Sequence, residues 1–173
     1  MSLFYPTIYR RRITDVTAED LRRLGVRAVL LDVDNTLTTH DAPDLTDSVR
    51  EWLTAMQTEG FLLLIMSNNK AERVAPFAEK IGLPYYAHAC KPWPVGYRKA
   101  AQQLGVPKNE CVAIGDQIFT DIFGANSAGI SSILLEPIQA EVEQRFIVFK
   151  RKIERLLMQN SRQRRRREGD YAR

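Results

Sequence analysis

The chemistry of this chain gathers where apolar runs give way to polar residues. Residues 27–31 are followed by Asp32-Val33-Asp34-Asn35-Thr36-Leu37. Asp32 and Asp34 lie two positions apart on an extended chain, so both carboxylates point to the same side. Left unpaired at the mouth of a buried sheet, they would repel each other at considerable cost. A hard divalent cation resolves this, because oxygen ligands and negative charge are what Mg2+ requires. A second run, residues 61–66, ends in Ser67-Asn68-Asn69. A hydroxyl and two amides leading into a helix N-terminus make a phosphate cradle. Lys91, between Cys90 and Pro92, is a point charge suited to a phosphoryl oxygen. A further run, residues 111–114, leads to Gly115-Asp116 and then Asp121, two more acids on the same edge. Gly115 permits close backbone approach.

Each of these residues also has a plainer reading. Asp32 alone is a surface acid ending a strand, Ser67 a helix cap, and Lys91 a solvated side chain. Asp121 is an acid favourable near a helix N-terminus. Their joint occurrence, each at or just after the end of an apolar run, is what argues for a site. His40 and His88 have no metal-like partners and read as loop residues. Cys90 reads as packing, and Trp52 and Phe77 as core faces of helices.

The elements that must position these side chains alternate between strand and helix. Residues 17–20 resemble a capping box, and Gly25 ends the short helix it opens. Residues 27–33, a near-continuous apolar run, suit a strand buried on both faces. Residues 46–59 form a helix with Val49, Trp52, Leu53 and Met56 on one face. A strand over 61–66, a helix over 71–81 and a short strand over 84–87 follow. Then come a helix over 95–104, a strand over 111–114, a helix over 120–128 and a strand over 131–135. This period predicts an α/β fold, a Rossmann-like, doubly wound, five-stranded parallel sheet. Ligands of such sheets bind beyond the carboxyl ends of the strands, where the polar residues lie.

With 173 residues, 45% of them hydrophobic and 27% charged, the chain can bury one domain's core without staples. Cys90 and Cys111 offer neither a disulfide framework nor metal-ligand spacing, so a reduced, cytoplasmic chain is expected. No apolar run approaches membrane-span length, and residues 1–6 do not resemble a signal peptide. The net charge of +4 is unevenly divided. Residues 1–137 carry 14 Lys/Arg against 16 Asp/Glu, and residues 138–173 carry 11 against 5. The body therefore does not suit nucleic acid, and the tail requires its own account.

The motif Asp32-Val33-Asp34-Asn35-Thr36-Leu37, then Ser67, Lys91 and Gly115-Asp116…Asp121, resembles the four motifs of haloacid dehalogenase superfamily phosphatases in order and spacing. The likeness covers residues 27–135. Ser67-Asn68-Asn69, Lys91-Pro92, Asp116-Gln117…Thr120-Asp121 and the opening Pro6-Thr7…Ile13 resemble the YqeG-like group of subfamily IIIA. That group includes the mitochondrial phosphatidylglycerophosphate phosphatase. The resemblance implies a phosphomonoester hydrolase in which Asp32 attacks phosphorus and becomes an aspartyl-phosphate. Asp34 would protonate the leaving oxygen and then activate water. Mg2+ would be held by Asp32, the Asp34 main-chain carbonyl and Asp116. Thr36, Ser67, Asn68 and Lys91 would bind the phosphoryl group. Asp121 is either a ligand or a support for Lys91 or a metal-bound water. The stretches between Leu37 and Ser67 and between Asn69 and Lys91 leave no room for a cap domain. A capless body resembles superfamily members with open sites for bulky substrates.

A phosphatase domain is thus expected over residues 1–137, with a basic appendage over 138–173. There Ile138, Val142, Phe146, Phe149, Ile153 and Leu156 recur at helical spacing, followed by Arg162 and four arginines from Arg164 to Arg167. Three readings stand: a helix packed on the domain with a solvated tail, a basic amphipathic helix on an anionic membrane surface, or RNA contact. The stripe favours the membrane over RNA. The expected partner is a phosphomonoester, a phospholipid head group first, at the inner membrane surface. The alternatives are a soluble phosphatase acting on a metabolite or phosphoprotein and a ribosome-associated module.

Overall fold

Strands that are apolar at every position form here because they are covered on both faces. A computed structural model of the chain describes residues 3–39 and 44–138. The chain divides into two units, Met1–Ile138 and Gln139–Arg173. The expectations placed on His40, on the stripe beyond Ile138 and on the arginine cluster lie outside the described residues. Six parallel strands are described: β1 (Ile8–Tyr9), β2 (Ala28–Leu31), β3 (Leu62–Met66), β4 (Tyr85–Tyr86), β5 (Cys111–Gly115) and β6 (Ser131–Leu134). Their order is β1-β6-β5-β2-β3-β4. The five expected strands are present, and β1 extends the sheet. Ile8 lies opposite Ile133, a two-residue pairing too short to leave any periodicity in the sequence.

The helices are α1 (Ala18–Arg23), α2 (Asp47–Thr58), α3 (Ala71–Lys80), α4 (Pro94–Gln103) and α5 (Gly124–Ala128). Alternate strand residues serve opposite faces. Val29, Leu31, Leu63, Ile65, Val112 and Ile114 pack with Trp52, Leu53, Met56 and Val74. Ala28, Leu30, Leu64, Met66 and Ala113 pack with Tyr97, Ala100, Ala101, Ala125 and Ala128. The doubly wound arrangement follows, with α1–α3 on one face and α4 and α5 on the other. The capping box at α1 forms as read: Thr17 Oγ1 accepts from the Asp20 amide, and Asp20 Oδ2 accepts from the Thr17 amide, both at 3.1 Å.

One expected element differs. The helix read over 120–128 is α5 preceded by a widened, π-helical turn, Ile118–Phe123. The Ile122 amide reaches the Gln117 carbonyl at 3.3 Å, five residues back. The Gln117 amide itself donates to Asp121 Oδ2 at 3.0 Å. The bulge turns Asp121 inward, where it is 2% exposed. Such bulges are frequent at functional sites.

The small-residue face draws α4 close to the loop ahead of it. A Cβ on Gly96 would lie 1.8 Å from the Ala89 carbonyl oxygen, a main-chain atom that cannot step aside. Gly96→Ala therefore pushes α4 off the turn that carries Lys91. The expected cost is about 1–3 kcal/mol, the usual range for overpacking, read as a lower urea midpoint with an unchanged slope.

Candidate active site

β2 occupies the middle of the sheet, between β3 and β5. The chain runs outward from β2 to β3 and β4, then crosses back to β5 on the other side. Beyond the carboxyl ends of β2 and β5 is therefore the crevice at which such folds bind ligands. Three ends converge there: Asp32 after β2, Ser67 after β3 and Asp116 after β5. The Asp32 amide donates to the Ile114 carbonyl at 3.0 Å, continuing the sheet as far as the acid.

After Asp32 the chain makes a tight turn. Asn35 is in the left-handed region (φ 61°), which Asn tolerates better than most residues. Its amide donates to the Thr38 carbonyl at 2.7 Å, and the Leu37 amide to the Val33 carbonyl at 3.0 Å. The turn buries Thr36 and sets its hydroxyl 3.4 Å from Asp32 Oδ2, a long contact.

Lys91 is the centre of the charge pattern. Its side chain is only 5% exposed. Nζ donates to Asp32 Oδ1 at 2.5 Å and to Asp121 Oδ1 at 2.7 Å. Two carboxylates close to the ammonium hold its pKa above the ordinary lysine value despite the opposing effect of burial. Removing one partner of such a buried arrangement leaves uncompensated charge, at a typical cost of about 3–5 kcal/mol.

The Lys91 backbone is gripped by Asn68. The Lys91 amide donates to Asn68 Oδ1 at 2.6 Å, and Asn68 Nδ2 donates to the Lys91 carbonyl at 2.9 Å. The Asn68 side chain, expected at the phosphate, is thus engaged in placing the lysine. Asp121 has both oxygens occupied, Oδ1 by Lys91 and Oδ2 by the Gln117 amide. A Cβ on Gly115 would fall 2.4 Å from Asp121 Cγ. The close approach that Gly115 permits is therefore that of a carboxylate side chain.

Asp116 is 1% exposed, and its Oδ1 has no hydrogen-bond partner. Asp32, Asp116 and Asp121 each offer an oxygen, all within 4.8 Å of one another. An orphaned buried carboxylate oxygen among all-oxygen donors fits a hard divalent cation. Burial pushes the Asp116 carboxyl up to about 8, with repulsion from Asp121 and Asp32 adding to it. Burial likewise pushes Asp32 up to about 7, partly opposed by Lys91 and reinforced by Asp121.

Asn69, read as part of the phosphate cradle, is engaged with Asp34, and two further neighbours of the site, Arg73 and Tyr97, carry little sequence signal. Asn69 Nδ2 donates to Asp34 Oδ2 at 3.0 Å, and an Arg73 guanidinium nitrogen lies 3.4 Å from Asp34 Oδ1. Arg73 follows Asn69 by four residues, in the first turn of α3; that proximity to the Ser67 stretch was the available clue. Tyr97, 1% exposed, donates its hydroxyl to the Thr120 carbonyl at 2.6 Å and so ties α4 to the bulge bearing Asp121.

The raised acids make a pH prediction. The folded, cation-free chain keeps protons on Asp32 and Asp116 at pH values where the unfolded chain, with ordinary carboxyls near 3.8, has released them. Stability of the cation-free protein therefore falls as pH rises from that value towards about 8. A cation binds the deprotonated acids, so its stabilisation grows across the same window. The Tm gain on adding Mg2+ is expected to be larger at about pH 8 than at about pH 5. A gain independent of pH would mean that these acids are not the ligands.

Comparison with known proteins agrees with this geometry. The profile of the haloacid dehalogenase-like hydrolases matches residues 14–129. The chain is 35% identical over 156 residues to the Probable phosphatase YqeG of Bacillus subtilis strain 168, covering 90% of each. It is 24% identical over 162 residues to the chloroplastic phosphatidylglycerophosphate phosphatase 1 of Chlamydomonas reinhardtii, covering 88% of this chain and 60% of that protein. Among solved structures, an uncharacterized protein of Listeria monocytogenes serotype 4b aligns with a TM-score of 0.57 at 24% identity, over 66% of this chain and 83% of the other.

Proposed function

We propose, from the premise that this chain belongs to the haloacid dehalogenase-like hydrolase family, that it is a phosphatase using Mg2+ and an aspartyl-phosphate on Asp32, with a phospholipid head group as its substrate. The observation that carries the mechanism is the buried Lys91 paired to Asp32 beside the unpartnered oxygen of Asp116.

In this reading Asp32 attacks phosphorus, the bond to the leaving oxygen breaks, and the phosphoryl group passes to the carboxylate. Asp34 supplies the proton to the leaving oxygen. It then takes a proton from the water that attacks the acyl phosphate, releasing phosphate and restoring Asp32. The ammonium of Lys91 favours the ionised form of Asp32 against the effect of burial and faces the phosphoryl oxygens. Ser67 and Thr36, both buried at the crevice, present hydroxyls to the same group. Asn68 and Asp121 act by holding Lys91, the first through its backbone and the second through Nζ. Mg2+, when bound to Asp32, Asp116 and the Asp34 carbonyl, would supply the positive charge that phosphoryl transfer requires.

Three observations support a lipid substrate. A relative bears the name phosphatidylglycerophosphate phosphatase. Among the described residues, only α2 and β3 lie between Leu37 and Ser67, and only α3 and β4 between Asn69 and Lys91, so no cap is inserted there. The basic excess of the chain falls in residues 138–173, which we assign as a membrane-directed appendage to a phosphatase domain over residues 1–137. No helix of the described residues is long and apolar enough to cross a membrane. Attachment is therefore proposed as peripheral.

Asp32→Asn is expected to abolish Mg2+-dependent phosphate release while the protein remains folded by circular dichroism. Asp34→Asn should cost about 10²–10⁴-fold on an alkyl phosphate, and far less on an aryl phosphate whose leaving group needs no proton. Equal losses on the two substrates would remove Asp34 as the general acid.

Deleting residues 158–173 is expected to weaken binding to vesicles containing phosphatidylglycerol, as is raising the salt concentration for the intact chain. Turnover of a soluble aryl phosphate should stay within about twofold, since no site residue is removed. Vesicle binding that survives the deletion would refute the membrane role of the tail.

A further inference from the structure

We propose, resting on the reading of a phospholipid head group as substrate, that the folded domain has a membrane-docking face of its own, apart from the tail. Trp93, Val95 and Phe119 enter an anionic lipid surface beside the site, with Arg98 and Lys99 behind them at the level of the head-group phosphates.

Among the described large hydrophobic side chains, these three are the most exposed: Trp93 at 68%, Phe119 at 56% and Val95 at 53%. Each is tied to the site by the chain. Trp93 follows Lys91 by two positions, and Phe119 lies between Asp116 and Asp121 in the π-helical turn. Both therefore stand where the chain leaves the carboxyl edge of the sheet. The two segments touch, since a Cβ on Gly124 would lie 3.0 Å from the Pro92 Cα. Phe119 stacks on Phe123 with ring centroids 5.6 Å apart, and Phe123 on Phe4 at 4.7 Å. Single exposed apolar side chains are ordinary, but a group of them beside a site marks a contact surface. Local structure does not call for the indole. Trp93 is the N-cap of α4, a position that favours Ser, Thr, Asp or Asn, and its side chain makes no capping bond.

The charge around these residues selects the occupant. Residues 81–109 contain no acid, and residues 117–135 contain Asp121 alone, which is buried. On α4, Val95, Arg98 and Lys99 are exposed at i, i+3 and i+4 and share one face. Gly96, Tyr97 and Ala100 are buried on the other. At about 1.5 Å per residue, Arg98 and Lys99 stand roughly 7–9 Å from Trp93 along the helix. Apolar groups of interfacial helices enter about 5–10 Å into the boundary between head groups and acyl chains, the level that Trp side chains favour. Rings at that depth put the two cations level with the phosphates. An apolar tip backed by cations thus matches the layers of an anionic bilayer. A two-fold pairing of copies through the same patch would instead draw the cations of both chains together. Docked in this way, the edge presents the crevice of Asp32 and Ser67 to the surface that carries the head group.

The test uses the full chain and vesicles of equimolar phosphatidylcholine and phosphatidylglycerol. Of the two tryptophans, Trp52 is buried with its indole N–H on the Val16 carbonyl, so an emission change on adding vesicles reports Trp93. A blue shift and quenching by lipids brominated along their acyl chains are expected, both lost in Trp93→Phe. Trp93→Ser combined with Phe119→Ser should weaken vesicle binding about tenfold or more. Arg98→Glu combined with Lys99→Glu should do the same on these vesicles, and little on phosphatidylcholine alone. In both double variants kcat/KM on vesicle-borne phosphatidylglycerophosphate should fall with binding, while turnover of a soluble aryl phosphate stays within about twofold. A vesicle-bound chain whose Trp93 emission neither shifts nor is quenched overturns the proposal. Trp93 already shielded from acrylamide in the lipid-free chain overturns it too, since another segment or a second copy would then be the occupant, and sedimentation of Trp93→Ser tells these apart. Absence of vesicle binding overturns it together with the membrane role of the tail. Quenched Trp93 without hydrolysis of phosphatidylglycerophosphate would leave the docking face standing and sink the lipid substrate. Hydrolysis with Trp93 silent would sink the docking face alone.

Discussion

Lys91 brings one positive charge into a pocket where Asp32, Asp116 and Asp121 hold oxygens within 4.8 Å of one another. Burial denies these groups the solvation that would let three carboxylates coexist. One ammonium bridges two of them and leaves the third, Asp116, with a buried oxygen that accepts no hydrogen bond. The deficit is met either by protons, hence the raised Asp32 and Asp116 carboxyls, or by a cation. Attraction to a cation is a consequence of that imbalance, and only with the added positive charge would the pocket accept an anionic phosphoryl group.

Holding a lysine in that place constrains the surrounding backbone. The turn before it has His88 and Cys90 in the left-handed region, at φ 48° and 53°, conformations that a chain adopts only where its surroundings demand them. Asn68 fixes the Lys91 peptide from one side. From the other, Gly96 allows α4 to sit against Ala89, and Gly124 allows the Asp121 segment to sit against Pro92. Tyr97 joins the two by its hydroxyl bond to Thr120. The alanine-rich second core is therefore a consequence of the site. Bulkier residues would part α4 and α5 and carry Lys91 away from Asp121.

What was legible in the sequence was whatever repeats or ends abruptly. The strands β2, β3 and β5 announce themselves as unbroken apolar runs, and their polar ends place Asp32, Ser67 and Asp116 along one edge. β1 was not legible, because two residues cannot show a period and its pairing with β6 spans more than a hundred positions. The π-helical turn was hidden because the local composition suits an ordinary helix, whereas the Asp121 side chain is held inward by the Gln117 amide and by Lys91. The engagement of Asn68 with the Lys91 backbone was hidden for a similar reason. Residue type says that an amide can bind phosphate, but only the approach of a distant loop decides what it binds. Arg73 looked like any charge on an amphipathic helix, and its nearness to Asp34 depends on how α3 leaves β3.

The two sides of Asp34 now carry different burdens. Towards β5 lie the charged groups Lys91, Asp116 and Asp121, whose contacts in the proposed mechanism are indifferent to what the phosphate is attached to. Towards α3 lies a cavity whose described lining is mixed, with Thr38, Thr39, Ser67, Asn69 and Arg73 sharing the wall with Val74 and Phe77. With no cap inserted among the described residues, that wall has no opposing domain to help it. Contacts made on so open a wall are weakened by water, and binding then depends on whatever holds the substrate from outside. A large substrate anchored elsewhere needs little from the wall, since the anchor supplies much of the binding and the wall has only to orient the reacting end. A small substrate has no such anchor and would need the wall to do all of it. An open site of this kind therefore suits the proposed phospholipid, whose greater part would lie beyond it.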